Sequence, residues 1–170
     1  MRASTRLREL IAGDGIITAP GCYDGLSARL IENAGFPAVY VSGGATARST
    51  GIPDMGLISP SEVASRLAQI VDAIEVPVIA DMDTGFGNAL NARQAVRAFE
   101  RAGVAGFHVE DQTFPKRCGH YDDKSIVTTQ EFCQKIRAIR DASADDDTVI
   151  VARTDAIAVE GFDAAIDRMQ

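Results

Sequence analysis

The sequence predicts an α/β chain whose sheet is parallel and built from five successive β-α units. Three observations predict it. Short, β-rich apolar runs alternate with longer segments of helical period. The runs are apolar on both faces, as strands flanked by neighbours and covered by helices must be. The last four runs each end in polar or glycine residues, and in a parallel sheet those ends share one rim.

The elements follow in order. The chain opens on a charged helical segment, MRASTRLRELIAGDG, without the apolar core of a signal peptide. The first run, GIITAPG at 15–21, leads to a helix at about 24–34 that Gly35 stops. The second, PAVYVSGG at 37–44, ends in Ser42-Gly43-Gly44, and a helix at 61–74 follows with Ser61 as its N-cap. The third, VPVIADMDTG at 76–85, carries Asp81 and Asp83 at its end; a helix at 89–102 then stops at Gly103. The fourth, VAGFHVEDQ at 104–112, ends in Glu110-Asp111. A polar stretch, PKRCGHYDD at 115–123, separates it from a helix at 129–142 capped by Thr129. The fifth run, DTVIVARTD at 147–155, presents Arg153 and Asp155, and a last helix begins near 162.

A sheet of this kind places its site at the carboxyl face if it closes into an eight-stranded barrel. If it is open and doubly wound, the site lies in the crevice outside the strand ends. A strict dinucleotide fold is excluded, because SGGATA lacks the G-x-G-x-x-G spacing and no ribose-binding acid follows at the right distance. Five strands fall short of the eight strands and roughly 250 residues of a closed barrel. The final GFDAAIDRMQ breaks off inside an amphipathic helix, so residues 1–170 are expected to be the N-terminal part of a longer enzyme and of a single domain.

Composition removes several function classes. The chain is 46% apolar with a mean hydropathy near zero, which is neither disordered nor membrane-embedded. No apolar run approaches the ~20 residues of a membrane span. A net charge of −7 argues against a nucleic-acid partner. Three cysteines, Cys22, Cys118 and Cys133, are odd in number and lack metal spacing, which fits a reducing cytoplasm.

The chemistry concentrates at the strand ends. DMDTGFG sets two carboxylates two residues apart before a glycine-bracketed turn, a set of hard oxygen donors suited to Mg²⁺ or Mn²⁺. Glu110 ends the neighbouring strand, and Asp54 in TGIPDMG offers a fourth carboxylate. One isolated Asp in a turn is usually a cap. Several acids on one face repel each other without a cation, which reverses that reading. Ser42-Gly43-Gly44 offers backbone N–H groups and a hydroxyl to a ligand carboxylate or phosphate. Arg153 either grips a substrate carboxylate or pairs with Asp155 or another rim acid. Cys118, flanked by Lys116 and Arg117 and near His120, is a thiol among cations and suited to proton transfer. Zinc held by Cys118 and His120 would need a second ligand pair at suitable spacing, and none is present.

YVSGG, PDMG, DMDTGFGN, HVEDQ, KRCGH and VARTDA, in this order, resemble the isocitrate lyase/phosphoenolpyruvate mutase superfamily, and most nearly its 2-methylisocitrate lyase branch. The resemblance spans residues from about 15 to 170. It implies a (β/α)8 TIM-barrel fold, of which the N-terminal five β/α units are present. It implies Asp81 as the direct Mg²⁺ ligand, with Asp83, Glu110 and Asp54 holding the metal's water shell. Ser42, Gly43 and Gly44 would bind a substrate carboxylate, and Arg153 the 2-oxyacid portion. Cys118 would be the acid/base on a mobile loop whose Lys116, Arg117, Gly119 and His120 also face the substrate. Tyr40 would stand near the substrate oxygen. The activity implied is Mg²⁺-dependent carbon–carbon cleavage of 2-methylisocitrate to pyruvate and succinate, or of a relative such as 2,3-dimethylmalate. An oxaloacetate hydrolase or decarboxylase, or a phosphoenolpyruvate mutase, is the alternative on this scaffold, although phosphoryl migration does not call for a thiol acid. A catalytically silent half-barrel is the non-enzymatic alternative. A full-length homo-oligomer, a tetramer, is also implied. GHYDDKSIV departs from the basic residue common after this motif in methylisocitrate lyases, which leaves the substrate open.

Overall fold

Five parallel strands lie side by side in chain order in the computed structural model, which describes residues 1–119 and 121–170. They are β1 (Gly21–Cys22), β2 (Val39–Val41), β3 (Val78–Asp81), β4 (Gly106–Glu110) and β5 (Val149–Arg153). The helices are α1 (Ala3–Ala12), α2 (Gly25–Asn33), α3 (Gly43–Ser49), α4 (Pro60–Val71), α5 (Ala89–Arg101), α6 (Thr129–Ala142), α7 (Ala156–Val159) and α8 (Phe162–Arg168). A doubly wound sheet reverses its strand order at a switch point. This one never reverses, which is the progression of a (β/α) barrel wall.

Alternation along each strand divides the residues between two environments. Val39 and Val41, Val78 and Ala80, Phe107 and Val109 point toward the helices and join Leu67, Ile70, Phe99 and Ile139 in one core. Phe99 meets both Phe86 and Phe107 edge-to-face, at centroid distances of 6.1 and 6.5 Å. The alternate residues, Tyr40, Asp81, His108, Glu110 and Arg153, remain for the inner side. Register then decides which of them meet: Asp81 pairs with His108 and Glu110 with Arg153.

Several expected boundaries move. The first run contributes only Gly21 and Cys22 to the ladder. Pro20 has no N–H to donate, β1 has a neighbour on one side only, and Ile16 is exposed. Helix α4 is capped by Ser59 and not Ser61, because Ser59 and Glu62 form a reciprocal capping box with Pro60 in the first turn. Thr128, and not Thr129, caps α6 by accepting from the Glu131 N–H. Helices α3 and α7 are too short to show a period. Burial on both faces holds for β4, but β5 is largely half-buried to exposed because it is an edge of the sheet.

Candidate active site

The strand ends and the polar loop enclose a cleft of about 320 Å³ lined by Tyr40, Ser42, Asp81, Glu110, Cys118 and Arg153, with Gly44, Arg48, Asp54, Lys116 and Gly119 at its margins. Asp81 is the hub. Its Oδ2 accepts from the Gly43 N–H at 3.0 Å and its Oδ1 from the Asp83 N–H at 3.0 Å. His108 Nε2 lies 3.1 Å from Asp81 Oδ1 but off the direction of a good hydrogen bond, so the contact is an ion-pair distance only. The other ring nitrogen, Nδ1, is hydrogen-bonded to the Tyr40 hydroxyl at 2.8 Å, and the two rings stack.

The turn after β3 is held in an uncommon shape. Asp83 and Phe86 adopt φ of 48° and 60°, a region that favours glycine. It is fixed from above by the Glu110 N–H donating to the Asp83 carbonyl at 2.9 Å. From below, Lys135 Nζ donates to the Thr84 carbonyl at 2.8 Å. Gly85 lets α5 close in, since a Cβ there would stand 2.8 Å from Ala92 Cβ.

The loop does not lie as its sequence implies. Lys116 is buried and turns away from Cys118 into the acids, 2.5 Å from Asp54 Oδ1 and 2.8 Å from Asp83 Oδ1. Arg117 is exposed and lies 3.7 Å from Asp123. The cation that reaches the thiol is Arg48, whose Nη2 lies 3.6 Å from Cys118 Sγ. Lys116 and Arg117, adjacent in the chain, thus reach separate surroundings, the buried acids and the solvent. Cys118 is buried, whereas Cys133 on α6 is exposed. Polar ties replace the missing apolar anchors. The Gln112 amide donates to Glu110, the Arg117 carbonyl and Asp155, and Lys124 donates to the Gly119 carbonyl. His120 lies outside the described residues.

Arg153 makes both of its expected kinds of contact possible. It pairs with Glu110 at 3.1 Å and Asp155 at 3.0 Å while still lining the cleft. A Cβ at Gly119 would fall 2.3 Å from its guanidinium, so glycine is what lets loop and arginine pass. The Ser42 oxygen caps α3 by accepting from the Ala45 N–H, and its own proton remains to donate. The Gly43 N–H is committed to Asp81 rather than presented to a ligand.

Electrostatics separates the acids. Burial and the adjoining Asp81 charge push Asp83 up to about 6, and burial pushes Glu110 up to about 7. Burial works to raise Asp81 too, but His108, Lys116 and the Asp83 N–H hold it well below the usual carboxylate range. Burial and the nearby Asp81 carboxylate push Tyr40 up. Folded Asp83 and Glu110 thus hold protons that the unfolded chain releases near 3.8 and 4.5. Their contribution to stability falls as pH rises from about 4.5 to about 7. Asp81, shifted downward, supplies stability above 3.8 and loses it only in stronger acid, so it adds no slope in that window. Protein held in chelator is expected to lose melting temperature between pH 5 and 7.5, and saturating Mg²⁺ to remove most of that loss. Thermal unfolding with chelator and with Mg²⁺ checks this; a melting temperature that rises with pH in chelator contradicts it.

The acids fit a hard dication. Asp81 Oδ2 and Asp83 Oδ1 lie 2.8 and 3.3 Å from where a Gly43 Cβ would stand, so glycine keeps that space clear. A gap of about 10 Å³, the scale of one water, lies among Gly43, Asp54, Asp81 and Asp83. Asp83 Oδ1 meets Lys116 at ion-pair distance without hydrogen-bond geometry and is otherwise unsatisfied. Among the described residues no three His, Cys, Asp or Glu side chains form a ready-made cage. Mg²⁺ keeps several waters and takes one or two carboxylates, and Asp81 and Asp83 are the pair placed to offer them.

His108, Arg48, Gln112 and Lys135 are the site residues that sequence reasoning missed. HVEDQ did contain His108, and its alternation with Glu110 would have placed it on the inner side.

Residues 7–170 match the family described as phosphoenolpyruvate phosphomutase. The chain is 44% identical over 169 residues to 2,3-dimethylmalate lyase of Eubacterium barkeri, covering 99% of this chain and 58% of that protein. It is 45% identical over 165 residues to 2-methylisocitrate lyase of Bacillus subtilis, covering 97% and 54%. Among solved structures, phosphonopyruvate hydrolase in complex with oxalate and Mg²⁺ superimposes with a TM-score of 0.92 at 37% identity, over 100% of this chain and 59% of that one. The chain thus spans a little over half the length of the curated relatives it matches.

Proposed function

The chain belongs to the isocitrate lyase/phosphoenolpyruvate mutase superfamily, and from that footing we propose that it is the N-terminal part of a single barrel domain that cleaves a carbon–carbon bond of a 2-hydroxy di- or tricarboxylate. Candidate substrates are 2-methylisocitrate and 2,3-dimethylmalate, the acids named for its lyase relatives. The observation that carries the reading is a thiol, Cys118, sharing one cleft with Asp81, Glu110 and Arg153.

Each residue has a task that its position supports. Asp81, with Asp83, Glu110 and Asp54 around its waters, would hold Mg²⁺; the cation, when bound, supplies positive charge to the oxygens on which negative charge develops. Arg153 and the Ser42 hydroxyl would orient the 2-hydroxy acid end. Glu110, poised near neutrality, is suited to take the hydroxyl proton as the carbonyl forms. The carbon–carbon bond then breaks with its electron pair left on the carbon next to the departing carboxylate. The Cys118 S–H delivers its proton there, leaving a thiolate. Closure of the loop around Cys118 would exclude water from that carbanion. We place the enzyme in the cytoplasm as a homo-oligomer. Among the described residues no helix is long and apolar enough to cross a membrane.

Product identity tests the reading. Full-length protein with Mg²⁺ and either hydroxy acid is expected to release pyruvate together with succinate or propionate. Oxalate and acetate from oxaloacetate, or a new carbon–phosphorus bond from phosphoenolpyruvate, with no cleavage of either hydroxy acid, would point to the other branches instead.

A further inference from the structure

Arg48 is a cleft residue for which the tasks above leave no use. It sits in the last turn of α3, and its side chain turns over the cleft onto Cys118 Sγ. The other cations at this cleft are already neutralised: Lys116 by Asp54 and Asp83, Arg153 by Glu110 and Asp155. Arg48, by contrast, has no carboxylate at ion-pair distance among the described residues. Its polar neighbours are the Cys118 thiol and the Tyr121 hydroxyl, both of which favour its charged form. Gly44 keeps room beside it, since a Cβ there would stand 3.0 Å from Arg48 Nη1 and 2.8 Å from Asp54 Oδ2. The result is a guanidinium at the thiol end of the cleft, with acidic groups gathered at the other.

We propose that Arg48 binds the carboxylate of the fragment that leaves as the carbanion, and so selects substrates that carry a carboxylate on the carbon protonated by Cys118. The assignment rests on the lyase reading of this cleft and deepens it. A guanidinium matches a carboxylate with two parallel N–H donors. As the carbon–carbon bond breaks, negative charge spreads into that carboxylate, so Arg48 would bind the departing fragment more strongly at that stage than in the intact substrate. Arg153 and the metal-binding acids serve the opposite end, which leaves the two ends of the substrate separately recognised.

The test compares two dianionic probes on full-length protein with Mg²⁺, by calorimetric titration. Succinate represents the departing fragment, and oxalate represents the metal-chelating end. Arg48→Met keeps the length of the stem and removes the charge. It is expected to weaken succinate binding by about 10- to 100-fold, the range of one charge-assisted pair, and to change oxalate binding by less than about twofold. Arg48→Lys should recover part of the loss, because a point charge replaces the fork. Unchanged succinate binding in Arg48→Met, equal loss of both probes, or no succinate binding by the wild type each overturns the assignment. Turnover separates it from the reading beneath it. A protein that cleaves none of the hydroxy acids yet loses succinate selectively in Arg48→Met keeps the Arg48 site and abandons the lyase. A protein that cleaves them but binds succinate unchanged in Arg48→Met does the opposite.

Discussion

Replacing Cys118 with serine in the full-length protein is expected to lower carbon–carbon cleavage by about 10²- to 10⁴-fold, the range for loss of a positioned proton donor. Serine keeps the shape of cysteine nearly unchanged, so the variant should fold with the same melting temperature within about a degree or two. Its hydroxyl, however, holds its proton too tightly to deliver it to the carbanion at neutral pH. Mg²⁺ binding should be untouched, because Asp81, Asp83 and Glu110 stand at the ends of β3 and β4 and the loop's tie to the acids runs through Lys116, which the substitution leaves in place. The measurement is turnover beside a Mg²⁺ titration. A serine variant with full activity would remove Cys118 from the chemistry. A variant that loses metal binding as well would show that the loop acts by shaping the acidic cluster.

Removing the charge of Asp81 should cost a comparable amount. Asp81→Asn is expected to abolish the response to Mg²⁺ and lower turnover on the order of 10³-fold, as loss of several kcal/mol of charge stabilisation implies. Asparagine is the better probe than alanine. Asp81 accepts hydrogen bonds from the Gly43 and Asp83 N–H groups, and alanine would strand both donors in a largely buried place. Asparagine can keep one acceptor and remove the repulsion that pushes Asp83 up. The fold should therefore persist while the metal response disappears. Wild-type activity that survives chelation, joined with an active Asp81→Asn, would end the metal assignment.

The acidic rim was legible because strand periodicity and strand ends are local properties. Asp81, Asp83, Glu110 and Arg153 each stand at the end of an apolar run, and a parallel sheet brings such ends together. The parallel order was legible for the same reason. What was not legible depends on direction. Lys116 and Arg117 are adjacent in sequence and reach opposite surroundings, the buried acids and the solvent. Arg48 lies on a helix of seven residues, too short for a period to show which side it faces. Lys135 reads as one more cation on an amphipathic helix, yet it is buried under the turn that carries Asp83. The caps moved by one or two residues because Ser59 and Thr128 find partners three residues on, whereas Ser61 and Thr129 already lie within the helices. β5 was expected to be covered on both faces, and it is the sheet's order that leaves it an edge.

The central claim is that a thiol protonates a carbanion released by metal-supported cleavage, and cleavage in D₂O tests it most directly. Full-length protein with Mg²⁺ and 2-methylisocitrate or 2,3-dimethylmalate should release pyruvate and an equal amount of succinate or propionate. That acid should carry one deuterium beside its carboxylate, set with a single stereochemistry, because Cys118 delivers it from one side of the cleft. Chelation should stop both products. No cleavage of either acid in the presence of Mg²⁺, or deuterium introduced without stereochemical preference, would contradict the account.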